Sequence, residues 1–241
     1  MTCFTVNIRN NNGLYNSITP VYEEERYTMR DLIQFLSSSD ISIHHDIASL
    51  AYSNTIKFYY SDASYQLPHS SKQRLEKYLS LGQPFLAPFG DIHQADALIA
   101  FSFGDSADVN IQLSRLAYDI QQIKPEIHVQ LQQEVAQHFS HNGKINVISD
   151  MEYQTTADIA REALNNTTAR NVIVVAQSWH AKRCIDTCTQ QGWNVVGLRC
   201  VDDFPKQDPQ PWVRNPINWL IKESHREVAT GHEISQLFQL S

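Results

Sequence analysis

Apolar residues in this chain fall into short continuous runs separated by stretches of helical period, and that alternation is clearest in the second half. Val172, Ile173, Val174 and Val175 are four β-branched residues in a row, the pattern of a parallel strand buried on both faces. Polar Gln177 and Ser178 interrupt it. Ala181, Cys184, Ile185 and Cys188 then recur at i, i+3, i+4 and i+7, which predicts a helix with one stripe on the sheet. Ser178 is placed to cap that helix and Gly192 to end it. Asn194 to Leu198 supplies the next strand, so Asn171 to Cys200 reads as one βαβ unit.

Similar passages come before it. Residues 96–104 form an apolar strand closing in Gly104, after which Val109, Leu113, Leu116, Ala117 and Ile120 share a helical face. Ile127, Val129 and Leu131 alternate as a strand after Pro125, and Val135, Ala136 and Phe139 give the next helix its apolar side. Ile145 to Ile148 forms a further strand. Thr155 or Thr156 then caps a helix that turns Ile159, Ala160, Ala163 and Leu164 to the sheet, with Asp158 supporting its dipole. Beyond the βαβ unit, Val201 to Trp212 is a proline-rich loop long enough to fold over a crevice. Asn215 and Pro216 open a last helix with a stripe of Ile217, Leu220, Ile221 and Val228.

Residues 1–90 carry no strong strand pattern. Tyr27 to Leu36 and Ser70 to Leu81 each suit an amphipathic helix, and Pro84, Pro88 and Gly90 mark a boundary. The expected architecture is a Rossmann-like three-layer α/β/α domain over residues 91–241, with a mainly parallel sheet of about five strands. A mostly helical N-terminal extension, residues 1–90, packs on it.

Composition narrows the classes. A formal charge of −7 without a basic run argues against nucleic-acid binding, and no apolar run is long enough to span a membrane. The start, with neither a basic region nor an apolar core of signal-peptide type, sets the expectation of a cytoplasmic protein. The four cysteines are too few for a disulfide framework, and Cys184 and Cys188 fall on the predicted buried stripe. The partner expected is a small molecule.

Candidate chemistry follows from topology. In an open parallel sheet, ligands bind beyond the carboxyl ends of the strands, where helix N-termini present unpaired N–H groups. His180 and Arg183 sit in such a first turn, at i and i+3 on one helix face, together with Gln177 and Ser178. An imidazole beside a guanidinium suits a phosphate, a carboxylate or another electron-rich group. Gly104, Asp105 and Asn110 stand at a second crevice turn. Asp150, Thr156 and Asp158 stand at a third, where Asp150 is a candidate general base and Thr156 and Asp158 serve either a ligand or only a helix cap. Glu223, His225, Arg226 and His232 read mostly as surface charges. No dinucleotide glycine fingerprint and no metal-ligand spacing is present, so no metal is expected.

With those residues in place, the chain resembles the YdcF-like and SanA-like proteins, also described as domain of unknown function 218, over about residues 96–231. The resemblance rests on the glycine-ended strand ALIAFSFG and on the strand followed by serine, aromatic residue, histidine and, three later, arginine, here Ser178, Trp179, His180 and Arg183. The family's spacing of glutamate, serine, threonine and glutamate is met by Asp150, Tyr153, Thr156 and Asp158, a departure at tyrosine. The tail REVATG is similar to the family's closing helix and brings in Glu227. The resemblance implies a crevice lined by Gly104, Asp150, Thr156, His180 and Arg183, with S-adenosylmethionine a candidate ligand. Two readings stay open: an enzyme of unsettled reaction, transferase or phosphate-ester hydrolase, with His180 as acid or base and Arg183 as anion clamp; or a module that senses an adenosine-containing ligand.

Overall fold

The computed structural model describes residues 26–28, 32, 35–37, 41, 57–59, 65, 67–82, 84–140, 145–149 and 154–240. Asp150 and Tyr153 lie outside the described residues.

Six strands form the central sheet in the order β3-β8-β7-β4-β5-β6: β3 (Phe89–Gly90), β4 (Ala97–Ala100), β5 (His128–Gln132), β6 (Ile145–Ile148), β7 (Asn171–Gln177) and β8 (Asn194–Val201). All neighbours pair in parallel except β3, which runs antiparallel to the edge of β8. β1 (Arg26–Thr28) and β2 (Lys57–Tyr59) make a separate antiparallel pair. The helices are α1 (His69–Ser80), α2 (Ala107–Ile123), α3 (Gln133–Ala136), α4 (Thr156–Asn165), α5 (Ser178–Gln191), α6 (Pro216–His225) and α7 (Gly231–Phe238).

The period of two along each strand builds the three layers. Leu98 and Ala100 of β4, with Ile173 and Val175 of β7, face a core completed by α1, α2, α6 and α7. Ala97, Ile99, Val172 and Val174 face the opposite core, where Ile159, Ala160 and Ala163 of α4 meet Ala181, Cys184 and Cys188 of α5. The expected three-layer α/β fold is therefore present. Among the described residues, no helix is long and apolar enough to cross a membrane.

Several local expectations change. The sheet has a sixth strand, and that strand begins at Phe89, ahead of the predicted boundary. Gly90 adopts φ +76°, and any Cβ there would collide with the Val196 carbonyl, so the close pairing of β3 with β8 requires glycine. Tyr27 and Thr28 are in a strand rather than a helix, because they pair with Phe58 and Lys57, while Leu32 and Leu36 are helical and buried. The last predicted helix ends at His225, leaving Val228 exposed, and α7 follows as a separate helix opened by a Thr230–Glu233 capping box.

Chain order locates the cleft. From β4 the sheet grows one way through β5 and β6, then returns to add β7 and β8 on the other side of β4. Loops leaving β4 and β7 consequently diverge, and the space between them is the crevice of a doubly wound sheet.

The α5 turn at that crevice is held differently from expectation. Gln177, not Ser178, is the cap: its side-chain oxygen accepts from the N–H groups of Trp179 and His180 at 2.7 and 3.2 Å. Ser178 is the first helical residue, and its Oγ is buried without a partner. Because Gln177 satisfies two helix donors inside the protein, Gln177→Ala should cost about 2 kcal/mol. Urea denaturation should show a lowered midpoint at unchanged m-value.

Candidate functional site

A cleft of about 1260 Å³ opens between the loops after β4 and β7 and the C-terminal helices. Of the residues singled out from sequence, Gly104, Asp105, Thr156, His180, Arg183 and Glu227 line it. Asn110, Asp158, Gln177 and Ser178 do not.

Those four have structural work instead. Asn110, fully buried, accepts from the Phe103 N–H at 3.1 Å and donates to the carbonyls of Gly104 and Ser106, which shapes the loop after β4. Asp158 completes a capping box with Thr155 and pairs with Arg161, so the capping reading of that motif is the one the geometry supports. The Thr155 bonds and Arg161 hold its carboxyl below the usual aspartate range. Gln177 and Ser178 are buried at the start of α5.

Gly104 takes φ +73°, and a Cβ would collide with the carboxylate of Asp208, which fills the hollow a ligand would need. Asp208 Oδ2 accepts from the N–H groups of Asp105 and Ser106 at 2.8 and 2.7 Å, and Arg214 holds the Asp208 carbonyl. The proline-rich loop after β8 thus does reach the crevice. It caps the turn before α2 with an internal anion. Burial, then the neighbouring Asp208 carboxylate, raises the pKa of Asp105. Of the four helix starts at this edge, the turn ahead of α2 and the starts of α4 and α5 are accordingly occupied by Asp208, by Thr155 with Asp158, and by Gln177, while the short α3 has no side-chain cap. The main-chain donors expected to receive an anion are largely spent.

Positive charge reaches the cleft through side chains. Arg183 of α5 donates from Nη1 to Glu223 Oε1 at 2.7 Å and from Nη2 to His180 Nε2 at 2.8 Å. Lys222 donates to the same Glu223 oxygen at 2.8 Å, and Arg226 Nη1 lies 3.7 Å from the other. The Arg183 guanidinium carbon and Lys222 Nζ stand 5.2 and 4.9 Å from the centre of the buried Trp219 ring, within cation–π range. Trp219 is fixed in turn by donating Nε1–H to the Trp179 carbonyl at 3.0 Å. Three cations therefore surround the Glu223 carboxylate, while Asp105, Glu134, Glu227 and Glu233 also line the cleft, so positive charge is concentrated where α5 meets α6 rather than spread over the whole cleft.

Electrostatics follow from burial. Desolvation raises Glu223's pKa, but Arg183 and Lys222 outweigh it and bring the carboxyl below its ordinary value. Burial, reinforced by Arg183, lowers Lys222 to about 8 against the opposing pull of Glu223. His180, boxed by Phe101, Phe103 and Trp219, is pushed well below the usual histidine range by desolvation, then by Arg183 and Lys222. A guanidinium can only donate, so Nε2 is an acceptor and the ring proton resides on Nδ1. The Ser102 carbonyl accepts a hydrogen bond from the imidazole. Thr156 Oγ1 approaches Nε2 at 3.4 Å. The lone pair that would serve a general base is thus engaged by Arg183.

Sequence reading missed Lys222, Glu223 and Trp219, and took Glu223, His225 and Arg226 for surface charges. Glu223 and His225 are buried, and Arg226, although exposed, lines the cleft. A signal was present: Trp219, Lys222 and Arg226 recur at i, i+3 and i+7, a face distinct from the Ile217, Leu220 and Ile221 stripe. Among the described residues, no three His, Cys, Asp or Glu side chains are grouped to hold a metal ion. No family model, curated protein or solved structure matches the chain.

The depressed histidines make stability pH-dependent with a definite sign. Between the folded pKa and the ordinary 6.5, the unfolded chain binds more protons than the native one, so stability is full above that value and drains as pH falls below it. His180→Gln should flatten the decline measured by denaturation from pH 7 to about 5. His225→Gln should remove the smaller share due to His225. An unchanged slope in His180→Gln would contradict a neutral buried His180.

Proposed function

We propose that this chain binds an anionic, nucleotide-like small molecule in the cleft at the carboxyl ends of β4 and β7. The observation that carries the reading is the charge at the cleft floor, where Arg183, Lys222 and Arg226 surround the lone buried Glu223. Around Glu223 itself the cations outnumber the carboxylate three to one, with Asp105, Glu134, Glu227 and Glu233 elsewhere on the cleft lining, and guanidinium groups match phosphate and carboxylate oxygens in pairs. Trp212, Val213 and Phe103 add apolar wall suited to a base or another flat group. S-adenosylmethionine, suggested by the YdcF-like resemblance, and adenosine phosphates are the candidate ligands.

Binding and chemistry are linked through Arg183. As an enzyme, the chain would use Arg183 to clamp the anion and His180 as acid or base. An incoming anion competes for the guanidinium, and its withdrawal from Nε2 would free the imidazole lone pair only when ligand is present. The engagement of that lone pair in the structure favours a second reading, a sensing module in which His180 positions Arg183 and no reaction follows.

Calorimetric titration with S-adenosylmethionine, adenosine triphosphate and nicotinamide dinucleotides should give saturable binding to at least one. Arg183→Ala should weaken it by about tenfold or more. Unaltered affinity in Arg183→Ala would remove the cleft assignment. Product analysis, with His180→Ala lowering turnover far more than affinity, separates enzyme from sensor.

Lys222 contributes charge only while protonated, so affinity for an anion should fall as pH rises through about 8. Lys222→Arg should keep affinity constant across that range, because guanidinium does not titrate there. A wild-type affinity flat from pH 7 to about 9.5 would exclude Lys222 from the anion site.

A further inference from the structure

A second cavity, of about 470 Å³, adjoins the cleft, and the two share a wall made by Arg183, Arg226 and Glu227. It lies against α1, whose Arg74, Lys77 and Tyr78 line one side, while Lys182 and Arg183 of α5 line another. Five basic side chains border it against three acidic ones. Two of those acids are already committed: Asp186 pairs with Lys182 at 2.7 Å, and Glu223 is enclosed by Arg183 and Lys222. Arg74 and Lys77, both exposed, make no ion pair among the described residues. Trp179 and Arg183 also line the cavity, and each carries a buried N–H, Nε1 and Nε, without an acceptor.

A positive groove on a chain of net charge −7 is not an average of its surface. The two cavities share Arg183 and Arg226, with Glu227 on the same wall, so the cations of the cleft, Lys222 with these two arginines, adjoin Lys77, Arg74 and Lys182 of the groove. A single phosphate or carboxylate would be satisfied by the cleft alone. A chain of phosphates would not.

We infer that the groove against α1 is the terminal-phosphate subsite of the ligand, and that the ligand is a nucleoside polyphosphate whose phosphate chain crosses Arg183 and Arg226 to reach Arg74 and Lys77. The inference rests on the cleft reading above and deepens it. S-adenosylmethionine, a zwitterion with one carboxylate, would leave the groove unfilled. The arrangement also gives α1 a role in recognition, since it supplies Arg74 and Lys77, which make no ion pair among the described residues.

The test is calorimetric titration of the full chain with AMP, ADP, ATP and S-adenosylmethionine, in the wild type and in the Arg74→Ala/Lys77→Ala double variant. Both positions are exposed, and a circular-dichroism melt checks that the variant is folded. Affinity should rise from AMP to ATP in the wild type by about tenfold or more, and the variant should bring ATP to within about twofold of AMP. Equal affinity for AMP and ATP in the wild type would overturn the subsite, as would an ATP affinity unchanged in the variant. Preference for S-adenosylmethionine over ATP would overturn it too and leave the cleft reading standing. Failure of the wild type to bind any of the four would overturn the cleft reading and this inference together.

Discussion

Glu223 is buried against the smaller cavity, beside the wall that Arg183 and Arg226 share with the cleft, and a carboxylate there would be strongly penalised without compensation. Compensation comes from α5 and from its own helix at once. Arg183 and Lys222 share one of its oxygens and Arg226 approaches the other. The positions of Arg183 and Lys222 above Trp219, and of His180 beneath the Arg183 guanidinium, follow from that one charge. If Glu223 were neutral, Arg183 and Lys222 would be held together in a low-dielectric space without the carboxylate that both contact.

A surplus of cations is what separates this arrangement from a closed structural salt bridge. Pairs that are only structural gain little from excess charge, since burial penalises each additional ion. Here the three cations around Glu223 stand at the border of two cavities, where the proposed anionic ligand would complete the balance. The cost is visible in Lys222, whose pKa is drawn down to about 8 by burial and by Arg183 despite a carboxylate at hydrogen-bond distance.

The crevice itself departs from the usual economy of doubly wound sheets, in which helix N-termini receive the ligand. Asp208 is bound by the amides ahead of α2, Gln177 caps α5, and Thr155 with Asp158 closes α4. Self-capping stiffens the three loops and preforms the cleft. It also leaves the positive charge of the cleft to the side chains of α5 and α6 rather than to main-chain dipoles, and these converge because α6 packs over the start of α5 through the Trp219 bond to the Trp179 carbonyl.

Much of this fold was legible in sequence because its signals are local. The β-branched run Val172 to Val175, the helical stripe through Ala181 and Cys188, the Thr155–Asp158 box and the Asn215–Pro216 start depend on residues within a few positions of one another. His180, Arg183 and Thr156 were legible as crevice residues because strand order alone brings strand ends together. What stood opposite them was not. Periodicity tells which face of α6 a residue occupies, and says nothing about which element covers that face, so Glu223 and Arg226 read as solvated charges and Asp208 as loop. Sequence by itself determined the alternating strands and helices from β4 to α6, their order and the edge of the sheet where a site could form, but not β3, the β1–β2 pair or α7. Only the tertiary structure decided which charges share a low-dielectric space, because that depends on contacts such as Asp208 with Gly104 or Arg183 with Glu223, between residues far apart in the chain.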